Sequence, residues 1–157
     1  MTLTKADLIA AAKDQWMKSE AAIAQAAKGN FDGAPAGGGW SASDTFRHII
    51  DSAHRTPEMM EGLVKTGSLG NFLETLDGVN AEGIESFKTL KARMLPIELN
   101  TAHGIVWMAM QKLTAGDLAK KINFQGNEMA LGDMLEFVLI GHEKSHVEAA
   151  LKTAGVA

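Results

Sequence analysis

Apolar side chains recur at three- and four-residue spacing over most of the chain, and the elements they predict are helices. From Leu3 to Lys28 the residues Leu8, Ala12, Ser19, Ile23 and Ala26 share one stripe with Trp16 on its flank, an amphipathic helix that Gly29 stops. Asn30 to Gly39 holds Gly33, Pro35 and three successive glycines and reads as a loop. A phosphate cradle is disfavoured there, because no Gly-Lys-Ser/Thr follows.

The second helix opens at Trp40-Ser41-Ala42-Ser43-Asp44. Ser41 is an N-cap with a short acid three residues on, and Trp40 can staple the start, which places the first turn at Ser41 or Ala42. Phe46, Ile49, Ile50, Ala53 and Met60 form its stripe, and Pro57 predicts a kink or restart near Thr56. Residues 66–90 carry glycines at 67, 70, 78 and 83 and little periodicity, so an irregular connection with at most a short helical turn is expected. Pro96 suits the first turn of a third helix, with Leu99, His103, Val106, Trp107, Met110 and Leu113 on one face, ending near Thr114 to Gly116. Lys121 to Leu131 is short and polar and predicts an extended arm or small hairpin. A fourth helix follows from about Gly132 to Thr153, with Leu135, Val138, Leu139, His142, His146, Ala149 and Thr153 on its stripe. The expected architecture is all-α: a four-helix bundle in one domain, residues 1–157, with a long irregular connection between helices 2 and 3 and a short extended arm before helix 4.

Composition narrows the chemistry. The 157 residues fit one domain, and the net charge of −4 without a Lys/Arg cluster argues against nucleic acid. There is no cysteine, which removes disulfides, thiolate metal ligands and a protein thiol nucleophile together. The N-terminal segment carries Asp7 and Asp14 and lacks the apolar core of a signal peptide. The longest charge-free stretches reach about a dozen residues, short of the roughly 20 a membrane span needs. A cytoplasmic protein is expected.

Gly141-His142-Glu143-Lys144-Ser145-His146 matches H-E-x-x-H, in which two helical histidines hold zinc and the glutamate serves a protease as base. On an ideal helix both histidines face the core, where unpartnered imidazoles are costly, and their i, i+4 spacing lets them share one ion. The protease reading fails on the third ligand: eleven residues follow His146, and their one candidate, Glu148, points to another side of the helix. Upstream lie His48, His54 and His103. His48 belongs to a secondary stripe with Thr45, Ser52, Arg55 and Met59, either a solvated face or the wall of a polar pocket, whereas His103 lies on a clear core face. Pattern alone leaves these two level.

Trp40-Ser41-x-x-Asp44-x-x-x-His48-Ile49-Ile50, then Leu113-Thr114-Ala115-Gly116-Asp117-Leu118, then Ala130-Leu131-Gly132-Asp133-Met134-Leu135 leading to His142-Glu143-x-x-His146, resemble in order and spacing the DinB-like (YfiT-like) family of metal-binding helical bundles. The resemblance implies a triad of metal ligands, His48, His142 and His146, and lifts His48 above His103. It also implies a divalent ion, zinc or nickel foremost among the metals that imidazole suits. Some members of that family use a low-molecular-weight thiol as transferases and others are described as metal-dependent hydrolases, so thiol-dependent S-transfer, hydrolysis and non-catalytic, stress-associated metal binding are all in view, as is the homodimer common among such relatives. Arg55 could anchor a cofactor carboxylate or form an ordinary ion pair. His103 is a supporting or pocket-lining group, or else a packed core histidine. Glu143, at the edge of the site, could take a proton or orient a water, or else stand exposed.

Overall fold

The computed structural model describes residues 3–69, 76–124 and 126–157. Helix α1 spans Lys5–Ala26, its N-cap Thr4 accepting from Asp7 N, and buries Leu8, Ala12, Trp16, Ala22, Ile23 and Ala26 together with two polar residues, Gln15 and Ser19. Helix α2 spans Ala42–Thr66. Ser41 caps it by accepting from Asp44 N at 3.0 Å. It runs through Pro57 without a restart and ends on Gly67, whose φ of 74° is the left-handed turn that glycine adopts freely.

Residues 66–90 depart from the irregular connection expected. Residues 70–75 lie outside the described residues, but Leu76–Ser86 forms helix α3. Two glycines, Gly78 and Gly83, obscure its periodicity, and one of them is structural. A Cβ on Gly83 would stand 2.1 Å from Asp51 Oδ2, so α3 can seat against α2 only because that atom is missing. A single 3₁₀ turn, Ala92–Met94, leads into α4, Leu95–Lys112, with Pro96 in its first turn. Leu99, His103, Val106 and Met110 are buried on α4 as the spacing predicts, whereas Trp107 is 38% exposed. There its ring lies under Lys13 Nζ at 5.1 Å.

After the short α5, Ala115–Ala119, the extended arm proves to be a hairpin: β1, Lys121–Phe124, pairs antiparallel with β2, Asn127–Ala130. Asn123 N donates to Gly67 O at 2.9 Å, which ties the hairpin to the end of α2. The last helical run is continuous but not uniform: α6, Leu131–Glu136, then a π-helical segment, Phe137–His142, then α7, Glu143–Ala154.

The chain is therefore mostly helical with one small hairpin. α1 and α2 are each flanked by α4 and by α7 and touch one another little. Two apolar clusters fill the interior. One joins Leu8, Trp16, Leu63, Val106, Met134 and Leu135, and the other Ile23, Phe46, Ile50, Leu99, Val147 and Ala150. Several polar side chains are buried as well, among them Ser19, His48, His103 and Glu143.

Candidate metal centre

The start of α2 is pinned before it delivers any ligand. Arg47, 7% exposed, donates to Ser43 Oγ at 2.9 Å, Asp44 Oδ1 at 3.0 Å and Phe87 O at 3.1 Å, and Lys88 Nζ reaches Asp44 Oδ1 at 2.6 Å. Burial works to raise the Asp44 pKa, but the bonds from Lys88, Ser41 and Arg47 outweigh it and hold the carboxylate below its ordinary value. Asp44 is thus a structural member of the Trp40–His48 segment, fixing one turn so that His48 emerges at a set position in the next.

His48, His142 and His146 each offer one ring nitrogen, all within 4.8 Å of one another, on two helices that are adjacent in space. The Nε2 atoms of His142 and His146 are 3.0 Å apart. Two imidazole nitrogens sharing one tetrahedral ion stand roughly 3.3 Å apart, so the cluster needs only small ring rotations to hold one. Its rings stand edge to face, with centroids 4.6 Å apart for His48 and His146 and 4.4 Å for His142 and His146. Trp40 lies over it, its ring 4.7 Å from that of His48 and 6.0 Å from that of His146. The sequence suggested only a staple for Trp40.

Two observations test the fit to a metal. His48 is 3% exposed and its Nδ1 is buried without a hydrogen-bond partner, a costly state for a ring nitrogen unless something is to bind it. All three histidines are also held neutral. Burial, with His146, His142 and Arg55 as further positive neighbours, pushes His48 down to about 3. Burial and then His142 push His146 down to about 4. Burial lowers His142 as well, against the opposing pull of Glu143. Neutral imidazoles carry the lone pairs a divalent ion needs, and a donor set of three nitrogens suits zinc and its neighbours.

Glu143 stands elsewhere than at the edge of this cluster. An ideal α-helix would bury 142, 146, 149 and 153 after Leu135, but the buried positions are Leu139, Glu143, Val147, Ala150 and Ala154. The π segment takes up one extra residue, so the buried stripe moves on by one and His142 and His146 shift to its flank. Glu143, 6% exposed, turns inward, where its Oε1 accepts from Ser19 Oγ at 2.5 Å. His103 Nε2 lies 3.2 Å from the same oxygen, near but outside hydrogen-bonding alignment. His103, 3% exposed, stacks on Trp16 at 4.8 Å and 12° and brings its Nδ1 to 3.5 Å from Glu20 Oε1. Glu143 and His103 are therefore partners in a closed inner network. His54 takes no part in either group: its Nε2 pairs with Glu98 Oε1 at 2.8 Å.

The histidine cluster opens on a cavity of about 780 Å³, which runs along α2 and is lined by His48, Ser52, Arg55, Thr56 and Met59, by Asn80 of α3, by Phe124 of β1, and by Phe137, Val138 and His142 of the last helical run. Arg55 lines it as its stripe with His48 predicts, and it is also ion-paired, its NH2 2.6 Å from Asp51 Oδ2 and 3.2 Å from Asn80 Oδ1. The ion-pair reading of Arg55 is thus the one observed. Phe124, Phe137 and Met59 are wall residues that sequence patterning did not single out, since an apolar side chain in a cavity wall has the same spacing as one in the core.

No curated protein and no solved structure matches the chain. The model of the DinB superfamily matches residues 11–150, a span holding α2 with His48 and the last helices with His142 and His146. The chain belongs to the DinB superfamily.

Proposed function

We propose that this protein is a divalent-metal enzyme that uses His48, His142 and His146 to hold the ion, zinc or nickel, and carries out thiol-dependent S-transfer to a small molecule. The observation that carries this reading is the cluster of three neutral imidazoles opening directly on a cavity of substrate size. An ion held by three neutral ligands keeps its double charge and an open position, where a thiol loses its proton near neutral pH. His48 and His146 are oriented by Trp40, and the cavity offers apolar wall at Phe137 and Met59. Having no cysteine, the chain takes its sulfur from a low-molecular-weight thiol. We accordingly assign it to the cytoplasm, where such thiols are kept reduced. None of its described helices is long and apolar enough to cross a membrane.

We read the four flanking helices as a four-helix bundle, and the outward side of α4, with Ile97 59% and Met108 55% exposed, as the face on which a second copy would pair. Hydrolysis by the same ion is the second reading. Against it stands Glu143, the one acid beside the ligands in sequence, which is held by Ser19 away from the large cavity and so is poorly set to activate water. An assay with an electrophilic aryl halide decides between them. Turnover should require an added thiol such as glutathione, the sulfur–carbon bond forming as the carbon–halide bond breaks. Thiol-independent turnover would favour hydrolysis, and no turnover with metal bound would favour a non-catalytic, stress-associated binding role.

A further inference from the structure

We infer that the cavity beside the three histidines selects ligands with an aryl or bulky alkyl body, so that of two molecules offering the same donor atom to the ion the apolar one is preferred. This rests on the metal reading for where the donor sits, and on the cavity walls alone for what the rest of the ligand must be. The walls away from the histidines are Met59, Leu69, Leu76, Phe124, Phe137 and Val138. The lining also includes Ser52, Glu58, Thr66, Ser68 and Asn80, and several of its polar groups are engaged by the protein itself, Thr66 Oγ1 donating to Gly62 O at 2.9 Å. Arg55 is held by Asp51 and Asn80, and Thr56 Oγ1 donates to Ser52 O at 2.8 Å.

Phe137 is the most telling of these residues. It is 53% exposed, whereas Leu131, Met134, Leu135 and Leu139 of the same helical run are buried. The π segment places it so that its ring is 6.3 Å from that of Phe124 and 6.5 Å from that of His142. Aromatic surface thus runs without a break from the hairpin to a metal-ligating histidine. A second aromatic ring laid against it would bury apolar area and gain offset or edge-to-face contacts. A hydrophilic ligand would leave those walls wet and gain nothing from them.

The test is a titration of the cobalt-loaded protein with 2-phenylethanethiol and with 2-mercaptoethanol, read from the cobalt absorption spectrum. The arylalkyl thiol should bind at least about tenfold more tightly. Phe137→Ser should remove most of that preference, 2-phenylethanethiol losing far more affinity than 2-mercaptoethanol; Phe137 is exposed enough for this variant to fold, and Met59→Ser is the companion. A naphthalene dye whose fluorescence rises in apolar surroundings, added to metal-free protein, reads the walls without the ion and should lose affinity in both variants. Equal affinity for the two thiols, or a preference that survives both variants, overturns the inference while leaving the metal reading standing. A protein that takes up no cobalt yet binds the dye in a Phe137- and Met59-dependent way supports the apolar cavity and removes the metal reading instead.

Discussion

His142 and Glu143 are neighbours in the chain, yet one faces an open group of imidazoles and the other a closed network with Ser19 and His103. In the open group every member is held neutral by burial, and His48 Nδ1 has no partner. In the closed one a carboxylate is met by a hydroxyl and an imidazole, and Gln15 supports the hydroxyl by donating to Ser19 Oγ at 3.2 Å. Each group holds one ring nitrogen without a hydrogen-bond partner, His48 Nδ1 and His103 Nε2, so what separates them is surroundings: one is packed among helices, and the other borders a cavity where a ligand can reach it. The first kind of region should fail by unfolding and the second by losing what it binds.

That contrast can be broken most sharply at His48. His48→Ala should lower metal affinity by more than about a hundredfold, read as loss of stoichiometric metal from purified protein, with cooperative unfolding retained. Metal retained at one ion per chain would dissolve the triad. Next is acid. Since His48 and His146 have pKa values near 3 and 4 when folded, against 6.5 for the free side chain, the unfolded chain binds more protons than the folded one between about pH 6.5 and 4. Stability of the metal-free protein is therefore fully present above about pH 6.5 and should fall as pH drops through that window, by about 3 kcal/mol once solvent screening is allowed for. Urea midpoints at pH 7 and 4.5 measure it, and His48→Gln should flatten the slope.

On the other side of the helix the expected loss is of stability. Glu143→Ala should cost about 1–2 kcal/mol by chemical denaturation, because it removes the carboxylate that accepts from Ser19 Oγ and leaves a void beside His103, while metal stoichiometry is retained. Metal loss equal to that of His48→Ala would mean the two regions are one. Ser19→Ala, removing a single donor, should cost about 1 kcal/mol with no change in metal content.

The helices, the cap at Ser41 and the buried faces of α1, α2 and α4 were legible because each follows an unbroken 3.6-residue period. Helix α3 was not: its glycines weaken the pattern, and Gly83 is present for a close approach that only the folded partner reveals. Of the candidate site, His142 and His146 follow from spacing, but His48 did not rise above His103 by pattern, since its stripe of small polar residues borders a cavity rather than the core. Glu143 was misjudged for one reason. Angular placement assumed an ideal α-helix, and nothing in Phe137-Val138-Leu139-Ile140-Gly141-His142 announces a wider turn.

That wider turn amounts to a single inserted residue, and an insertion has a property that substitutions lack: it resets the phase of everything downstream at once. Upstream of it, α6 presents a purely apolar stripe of Leu131, Met134 and Leu135. Downstream, the same side of the helix is continued by Glu143, and His142 is turned onto the cavity. Helix length thereby becomes a tuning element. One residue gained or lost between Leu135 and His142 re-aims both histidines together and exchanges which polar side chain the interior must accommodate, without substituting any residue of the histidine cluster.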